Sequence, residues 1–409
     1  MVMSKATDLE EQLTSPSFFQ DPYPVYHRLL EEEPAFWSER IGAWLISRYD
    51  DVGATIRDTT HFSNRGRFSG VLDRLPPEAR PEFKPLEDHF SVGMIGSDPP
   101  DHTRLRGLIN RAFTPRVIES MRPRVIEIVD ELLDAIGDRE TFDVITEFAY
   151  PLPATVIAIM IGAPPEDRDR FKGWSDGILA FQGTGRTTPE VLARSQRDVL
   201  EMREFLRELM AKRRRDPQDD LLTRLVEAES AGDKLTEGEL LATCVTLLTA
   251  GHETTTNLIG SGLLTLLRHP EQREQLREDP TLMPSAIEEM LRFESPLQRN
   301  PRKAGADFEL HGNVIRKGDF VLQVLGAANR DPRQFPEPDR FDIARQPNRH
   351  VAFGMGIHFC LGAPLARLEA PIAIDAVLRR WPGLTLARDH VTWREHGLLR
   401  AQETLVLAR

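Results

Sequence analysis

Cysteine is almost absent: Cys244 and Cys360 are the only two in 409 residues. A secreted, disulfide-framed fold is not expected from such a chain, and a reducing cytoplasm is. The stretch from Met1 to Asp21 is polar and acidic and lacks the apolar core of a signal peptide. Long hydrophobic runs are missing too. The longest, Ala154 to Ala163, is about half of the ~20 residues that a membrane span needs, and Leu240 to Leu267 is interrupted by His252, Glu253 and Asn257. Positive charge is in deficit, Lys+Arg 52 against Asp+Glu 64 for a net charge of −12, so neither nucleic acid nor an anionic membrane surface is an expected partner. Internal repeats, a nucleotide-binding GxGxxG and an iron–sulfur cysteine set are also absent. What remains is an ordinary globular composition, 40% hydrophobic with 28% interspersed charge, long enough for a large core.

Periodicity divides the chain into textures within one expected domain, 1–409. Helical spacing around Tyr26–Leu30 gives way to a strand-like run, Ala43–Ile46, and the β-containing parts are expected near 34–60, 296–326 and 384–409. Phe62 to Pro100 reads as a long loop with one short helix, and long loops in compact domains are usually functional. From about 102 to 292 the pattern is helical nearly throughout: Val125, Ile128, Val129, Leu132, Leu133 and Ile136 recur at i, i+3, i+4. Breakers fall at Gly137, Pro151, Pro164-Pro165, Gly183 to Pro189, Pro217 and Gly232. Leu235 to Arg268 contains no proline and predicts a helix of roughly 50 Å that crosses the molecule. Gly312-Asn313 and Lys317-Gly318 carry hairpin chemistry between short apolar runs. Helix resumes over 363–380. The fold class is mainly α with small β-sheets.

The most informative stretch is Phe353-Gly354-Met355-Gly356-Ile357-His358-Phe359-Cys360-Leu361-Gly362. Alternate glycines permit backbone angles closed to other residues, and the cysteine falls just before a helix start, where unpaired N–H groups favour a thiolate. Gly362 removes a side chain where something flat could approach. As a whole this segment resembles the haem-binding loop of the cytochrome P-450 family, and the resemblance extends from Asp21-Pro22-Tyr23-Pro24 to the C-terminus. It implies the cytochrome P-450 fold, haem b (iron protoporphyrin IX) as cofactor and Cys360 as the axial ligand of the iron, with Gly362 beside it.

Further matches follow in the family's order. Ala250-Gly251-His252-Glu253-Thr254-Thr255, midway along the long helix, is similar to the oxygen-activating sequence. An acid beside an alcohol in a dry pocket can relay protons, and a local widening of the helix at Gly251 is expected. Zinc is excluded because HExxH requires histidine at 256, where Thr256 stands. Glu289 and Arg292 share one helical face, as do Glu119/Arg122, Glu204/Arg207, Glu274/Arg277 and Glu337/Arg340. Order singles out the first pair, and the resemblance implies that Arg340, in Phe335-Pro-Glu-Pro338-Asp-Arg340-Phe341, joins it in a buried network. The same resemblance assigns His102, Arg106, Arg302 and His358 to the haem propionates and Ala250 to the haem's distal side.

The activity so implied is a monooxygenase inserting one atom of O2 into a mid-sized hydrophobic substrate by hydroxylation or epoxidation. Electrons would come from NAD(P)H through a ferredoxin or flavodoxin-type donor and its reductase, to a monomeric enzyme with catalytic Glu253 and Thr254. A peroxide-driven peroxygenase and a haem-thiolate sensor are the alternatives, and the retained Glu–Thr pair speaks against both. Alignment places Met94, Phe181, Thr246, Ala250, Leu297, Gln298 and Leu399, with the loop Arg67 to Met94, around the substrate. Arg299 could reach a substrate carboxylate, the propionates or solvent.

Overall fold

The computed structural model describes residues 5–68, 72, 75–183, 188–230 and 235–409. The expected breakers at 184–187 and Gly232, and positions 69–71 and 73–74 of the expected pocket loop, lie outside the described residues. Amphipathic spacing becomes helix in α1 (Tyr23–Glu32), α2 (Lys84–Val92), α3 (Asp101–Ala112) and α4 (Arg122–Ile136). In α4 the predicted stripe Val125, Ile128, Val129, Leu133 and Ile136 is buried, and the helix ends at Gly137 with φ +62°. Pro151 starts a helix rather than breaking one, because a first-turn residue needs no N–H partner. That helix, α5 (Pro151–Ile161), is apolar all round and buried nearly all round. Each such Val, Leu or Ile contributes ~1.5–3 kcal/mol on burial.

Helices α6 (Arg168–Gly183) and α7 (Pro189–Arg215) pack on each other and on α8 (Glu237–Arg268). A capping box starts α8: Glu239 N–H donates to Thr236 Oγ1 at 3.2 Å, and Thr236 N–H to Glu239 Oε2 at 2.7 Å. Its 32 residues span about 48 Å at ~1.5 Å each. Buried hydroxyls along it turn back on their own helix, Thr243 to Glu239 O at 2.7 Å and Thr249 to Val245 O at 2.8 Å. Against α8 lie α5, α9 (Met283–Phe293) and α10 (Ala363–Arg380), which enclose the main core. Among the described residues no helix is long and apolar enough to cross a membrane.

The β portion comprises β1 (Ala35–Ser38), β2 (Ala43–Ile46), β3 (Phe62–Ser63), β4 (Thr141–Asp143), β5 (Asn300–Ala304), β6 (Phe308–Leu310), β7 (Asn313–Ile315), β8 (Phe320–Gln323), β9 (Thr385–Leu386) and β10 (Val406–Ala408). One sheet runs β1-β2-β8-β5-β3, with β2 and β8 parallel (Trp44 opposite Val321) and the other pairs antiparallel. The hairpin β6–β7 turns at His311-Gly312, φ +51° and +77°, one residue before the expected Gly312-Asn313, since Asn313 already pairs with Leu310. Lys317-Gly318 is a turn but no hairpin, because β8 pairs with β2 and β5. Strand β4 interrupts the expected helical stretch, three residues being too few for an alternation to be read. The C-terminal strands shrink to β9, β10 and two isolated bridges, Leu297–Leu399 and Trp393–Gln402. A further core against the larger sheet holds Ile46, Val52, Phe62, Val321 and Val351, and Val351 O accepts from Gly354 N–H of the cysteine loop at 2.8 Å.

Candidate active site

Gly354 and Gly356 take φ +68° and +64°, the left-handed region that the sequence pattern requires of them. A 3-10 turn over Gly356–His358 follows, and Cys360 N–H donates to Phe353 O at 3.0 Å. The cysteine thus sits three residues ahead of the first residue of α10. Burial raises the thiol's pKa, while the N–H groups of Gly362 and Ala363 and the charges of Arg106 and Arg367 act in the opposite direction. A Cβ on Gly362 would meet only Cys360 Sγ, at 3.9 Å, so the space beside the sulfur is open.

In the middle of the otherwise buried α8, Thr246, Leu247, Ala250, Gly251 and Thr254 retain accessible surface, flanked by buried neighbours. Their spacing makes one stripe along the helix. The helix continues unbroken through Ala250–Thr255, so the expected widening at Gly251 is not seen; Thr254 Oγ1 instead donates to Ala250 O at 3.3 Å alongside the normal ladder. Glu253 points elsewhere. It is buried beside a cavity of about 30 Å³ lined by Tyr150, Lys172, Thr256, Asn257, Arg394 and Gln402. His252 Nε2 lies 3.5 Å from Glu253 Oε1, while its Nδ1 is 2.6 Å from Leu248 O. Burial alone would raise the Glu253 pKa, but His252, Lys172 and Arg394 together outweigh it and hold the carboxyl at about 2.

A cluster of cations and imidazoles gathers beside the cysteine loop. The His102 and His358 rings are 4.0 Å apart, and among the described residues neither nitrogen of His102 has a hydrogen-bond partner although both are buried. His358 Nε2 lies 2.9 Å from Asn64 Nδ2; burial, then His102, Arg302, Arg67 and Arg106, push its pKa down to about 2. Arg302 is buried, donating to Asn300 Oδ1 and Pro301 O at 2.9 Å, and burial lowers its pKa to about 10 against the opposing pull of Asp98. Burial and the nearby Arg302 lower Arg67 to about 9, and its Nε has no hydrogen-bond partner among the described residues. The helix of Asp101–Ala112 brings half-buried Arg106 to the same place. Among the described residues Asp98 is the carboxylate in this electrostatic group, and it already accepts from Ser63 Oγ and Asn64 N–H. An unmatched positive site of this kind fits a dianionic ligand.

Behind the loop, Glu289 and Arg292 have no exposed side-chain surface. The other Glu-x-x-Arg pairs are exposed, with side-chain accessibilities from 40% to 71%. Arg292 donates to both Glu289 oxygens and to the carbonyls of Asn329, Pro338 and Arg340. The expected guanidinium of Arg340 is not in this network. It points outward to Glu337 at 3.2 Å, and only its carbonyl faces Arg292. Arg345 takes the place, reaching Glu289 Oε1 at 3.2 Å and the carbonyls of Pro336, Glu337 and Arg340, with Asn348 donating to Oε2. The reversal arises because the chain bends at Pro336–Arg340 so that carbonyls line the inside, and a carbonyl cluster selects the next available cation.

The cytochrome P450 family model matches residues 71–404. The chain belongs to the cytochrome P450 family. Cytochrome P450 107B1 of Saccharopolyspora erythraea is 45% identical over 397 residues, 95% of each chain. The 6-deoxyerythronolide B hydroxylase of the same organism is 39% identical over 410 residues, 98% of each. Among solved structures, P450BioI in complex with a hexadec-9Z-enoic acid-ligated acyl carrier protein superposes with a TM-score of 0.89 at 40% identity, covering 97% of this chain and all of that one.

This P450 is accordingly a monooxygenase whose cofactor is haem b. Its own residues fit the group: a thiol at a helix N-terminus with open space at Gly362, and orphaned nitrogens on His102 and Arg67 where two carboxylates require donors. Asn64, Arg345 and Asn348 escape sequence reading, since none stands in a recognisable spacing, and Arg67, expected as one end of the substrate loop, lies beside His358 and Arg302. Of the expected substrate contacts, Thr246 and Ala250 lie on the accessible stripe, Leu297 and Leu399 share a bridge, and Met94 packs partly buried against the main core. Phe181 stacks with Phe90 and Phe68, centroids 5.5 and 6.3 Å away. Gln298 is turned away, its amide donating to Ser295 O at 2.7 Å and its oxygen packed on Gly326. Arg299 does not face solvent; it is buried over the Phe18 ring at 5.0 Å, because the N-terminal segment covers that side of the chain.

Proposed function

We propose that Cys360 is the thiolate ligand of the haem iron and that this P450 oxidises a mid-sized hydrophobic substrate by hydroxylation or epoxidation. The observation that carries the reading is the group Arg67, His102, Arg106, Arg302 and His358 beside the cysteine loop, buried or half-buried, in which Asp98 is the carboxylate among the described residues. These five would hold the propionates. Glu289, Arg292 and Arg345 would brace the loop from behind. Bound haem supplies the activation of dioxygen, so that one oxygen atom enters the substrate and the other leaves as water.

The protein's part is to orient and to move protons. The Thr254 hydroxyl, on the accessible stripe, would hold a water on the distal side. Glu253, ionised and facing the separate small cavity, would take protons from the Lys172 and Arg394 side and pass them inward on rotation of its side chain. That cavity has room for one or two waters, and Thr256 Oγ1, Asn257 Nδ2 and both Gln402 amide atoms are buried there without hydrogen-bond partners among the described residues. The Phe68–Phe90–Phe181 stack would exclude bulk water from the substrate side. Electrons would arrive from NAD(P)H through a separate ferredoxin or flavodoxin-type protein and its reductase. We read the chain as one haem domain over 1–409, acting as a cytoplasmic monomer. Substrate class rests on the apolar lining and on likeness to a 6-deoxyerythronolide B hydroxylase and to a P450 solved with a hexadec-9Z-enoic acid-ligated acyl carrier protein.

The test is the ferrous carbon monoxide complex. Wild type should give the red-shifted Soret band of a thiolate ligand and Cys360→Ser should not; a histidine-type spectrum in wild type overturns the reading. Spin-state titration against fatty acids, terpenoids and macrocycles then identifies the substrate class.

A further inference from the structure

Glu288, next to the buried Glu289, holds a second and separate network. Its carboxylate accepts from Arg367 Nε at 2.7 Å and Nη2 at 2.8 Å, and lies 2.9 Å from His350 Nε2. Ala352 N–H donates to His350 Nδ1 at 3.2 Å, which leaves the ring proton on Nε2, directed at Glu288. The Arg367 guanidinium covers the Phe353 ring at 4.6 Å, and Phe353 O is the acceptor for Cys360 N–H. His350 precedes the glycine loop, and Arg367 follows the cysteine by seven residues, about one turn into α10. One carboxylate on α9 therefore grips both sides of the loop.

We propose that Glu288 is a positioning residue for the Cys360 thiolate, acting through the Arg367–Phe353 stack and through His350. The proposal rests on the reading of Cys360 as the iron ligand. Glu289 cannot replace it, because both Glu289 oxygens are taken by Arg292, Arg345, Asn348 and the Asp342 N–H. A bidentate Arg–carboxylate pair has fixed planar geometry, so it sets where the Phe353 ring lies and hence where its carbonyl directs the cysteine backbone. It also sets charge. Arg367 is a cation in the electrostatic surroundings of the sulfur, and Glu288 neutralises it at hydrogen-bond range. Burial tends to raise the Glu288 pKa, but Arg367 and His350 hold it at about 2, so this balance persists at neutral pH.

The experiment compares haem-loaded wild type, Glu288→Gln, Glu288→Ala and Arg367→Met by ferrous carbon monoxide spectrum and by haem reduction potential. All three variants should show a several-fold rise in the fraction lacking the thiolate band. The two charge changes should move the potential in opposite directions, upward for Glu288→Gln, which leaves Arg367 unneutralised, and downward for Arg367→Met. A brace that only held the fold together would move both alike. The Arg367 side chain is two-fifths exposed, so Arg367→Met retains haem even where Glu288→Ala does not accumulate. Wild-type band fraction and potential in Arg367→Met and Glu288→Gln overturn the proposal. Absence of the thiolate band from wild type itself overturns the ligand assignment instead, so the two failures are distinct.

Discussion

Arg292 binds both carboxylate oxygens of Glu289, at 2.7 and 2.8 Å, with neither side chain exposed to solvent. Every remaining N–H of that guanidinium that finds a partner finds a main-chain carbonyl, from Asn329, Pro338 or Arg340. The pair thereby ties α9 to the segment that leads into the cysteine loop. Removing either partner strands a buried charge, which costs ~3–5 kcal/mol out of the ~5–15 kcal/mol typical of a folded domain. Glu289→Ala and Arg292→Ala should therefore yield little haem-loaded protein. Alanine at Glu119, Glu204 or Glu274 should leave the unfolding midpoint unchanged. Equal haem content across the series would remove the distinction.

Arg345 and Arg340 should separate in the same assay. Arg345→Ala removes a side chain that bonds Glu289 and three carbonyls, and should lower stability by ~2–4 kcal/mol. Arg340→Ala leaves the contributing carbonyl in place and should be silent by chemical denaturation. The opposite ranking would return the role to Arg340.

Arg67 should have opposite effects with and without haem. In the holoenzyme Arg67→Leu loses a charge-assisted contact worth ~1.5–3 kcal/mol, so haem should leave at least about tenfold faster in a transfer assay. In the haem-free chain the same change removes a buried guanidinium whose pKa is already depressed to about 9, and stability should rise by on the order of 1–4 kcal/mol. Unchanged haem release would take Arg67 out of the propionate site.

Glu253 and Thr254 should fail differently. Thr254→Ala deletes a hydroxyl but no haem contact, so binding should survive while reductant is diverted to hydrogen peroxide. Glu253→Gln keeps shape and loses the ionisable group, so turnover should slow by ~10²–10⁴-fold with less diversion. Parallel assays of NAD(P)H, peroxide and product check this. If Thr254→Ala couples as well as wild type, its bond to Ala250 O is the hydroxyl's whole function.

His89 makes acid stability testable. Burial first, then Arg203, push its pKa from 6.5 down to about 3. Between those values the unfolded chain binds one more proton than the folded one, so stability is full above 6.5 and falls as pH drops. The slope is ~1.4 kcal/mol per pH unit. His89→Gln should flatten the stability profile between about pH 7 and pH 5. Parallel profiles for the two proteins would mean that the ring is not buried neutral.

The features legible in the sequence are those set by neighbours along the chain. Backbone freedom at Gly354 and Gly356, the Thr236–Glu239 cap and the i, i+3 phase of Glu289 and Arg292 each follow from a few consecutive residues, and the cysteine loop and α8 follow with them. Local phase could not tell the buried Glu-x-x-Arg pair from four exposed ones; chain order did so through the family resemblance. Tertiary structure alone decided that Arg345 rather than Arg340 completes that network, since the choice depends on which carbonyls turn inward. It alone brought Arg67 to Arg302, 235 positions apart in number, and set Lys172 and Arg394 around Glu253. Desolvation and unscreened charge govern these sites, and both arise only where distant segments exclude water from one another.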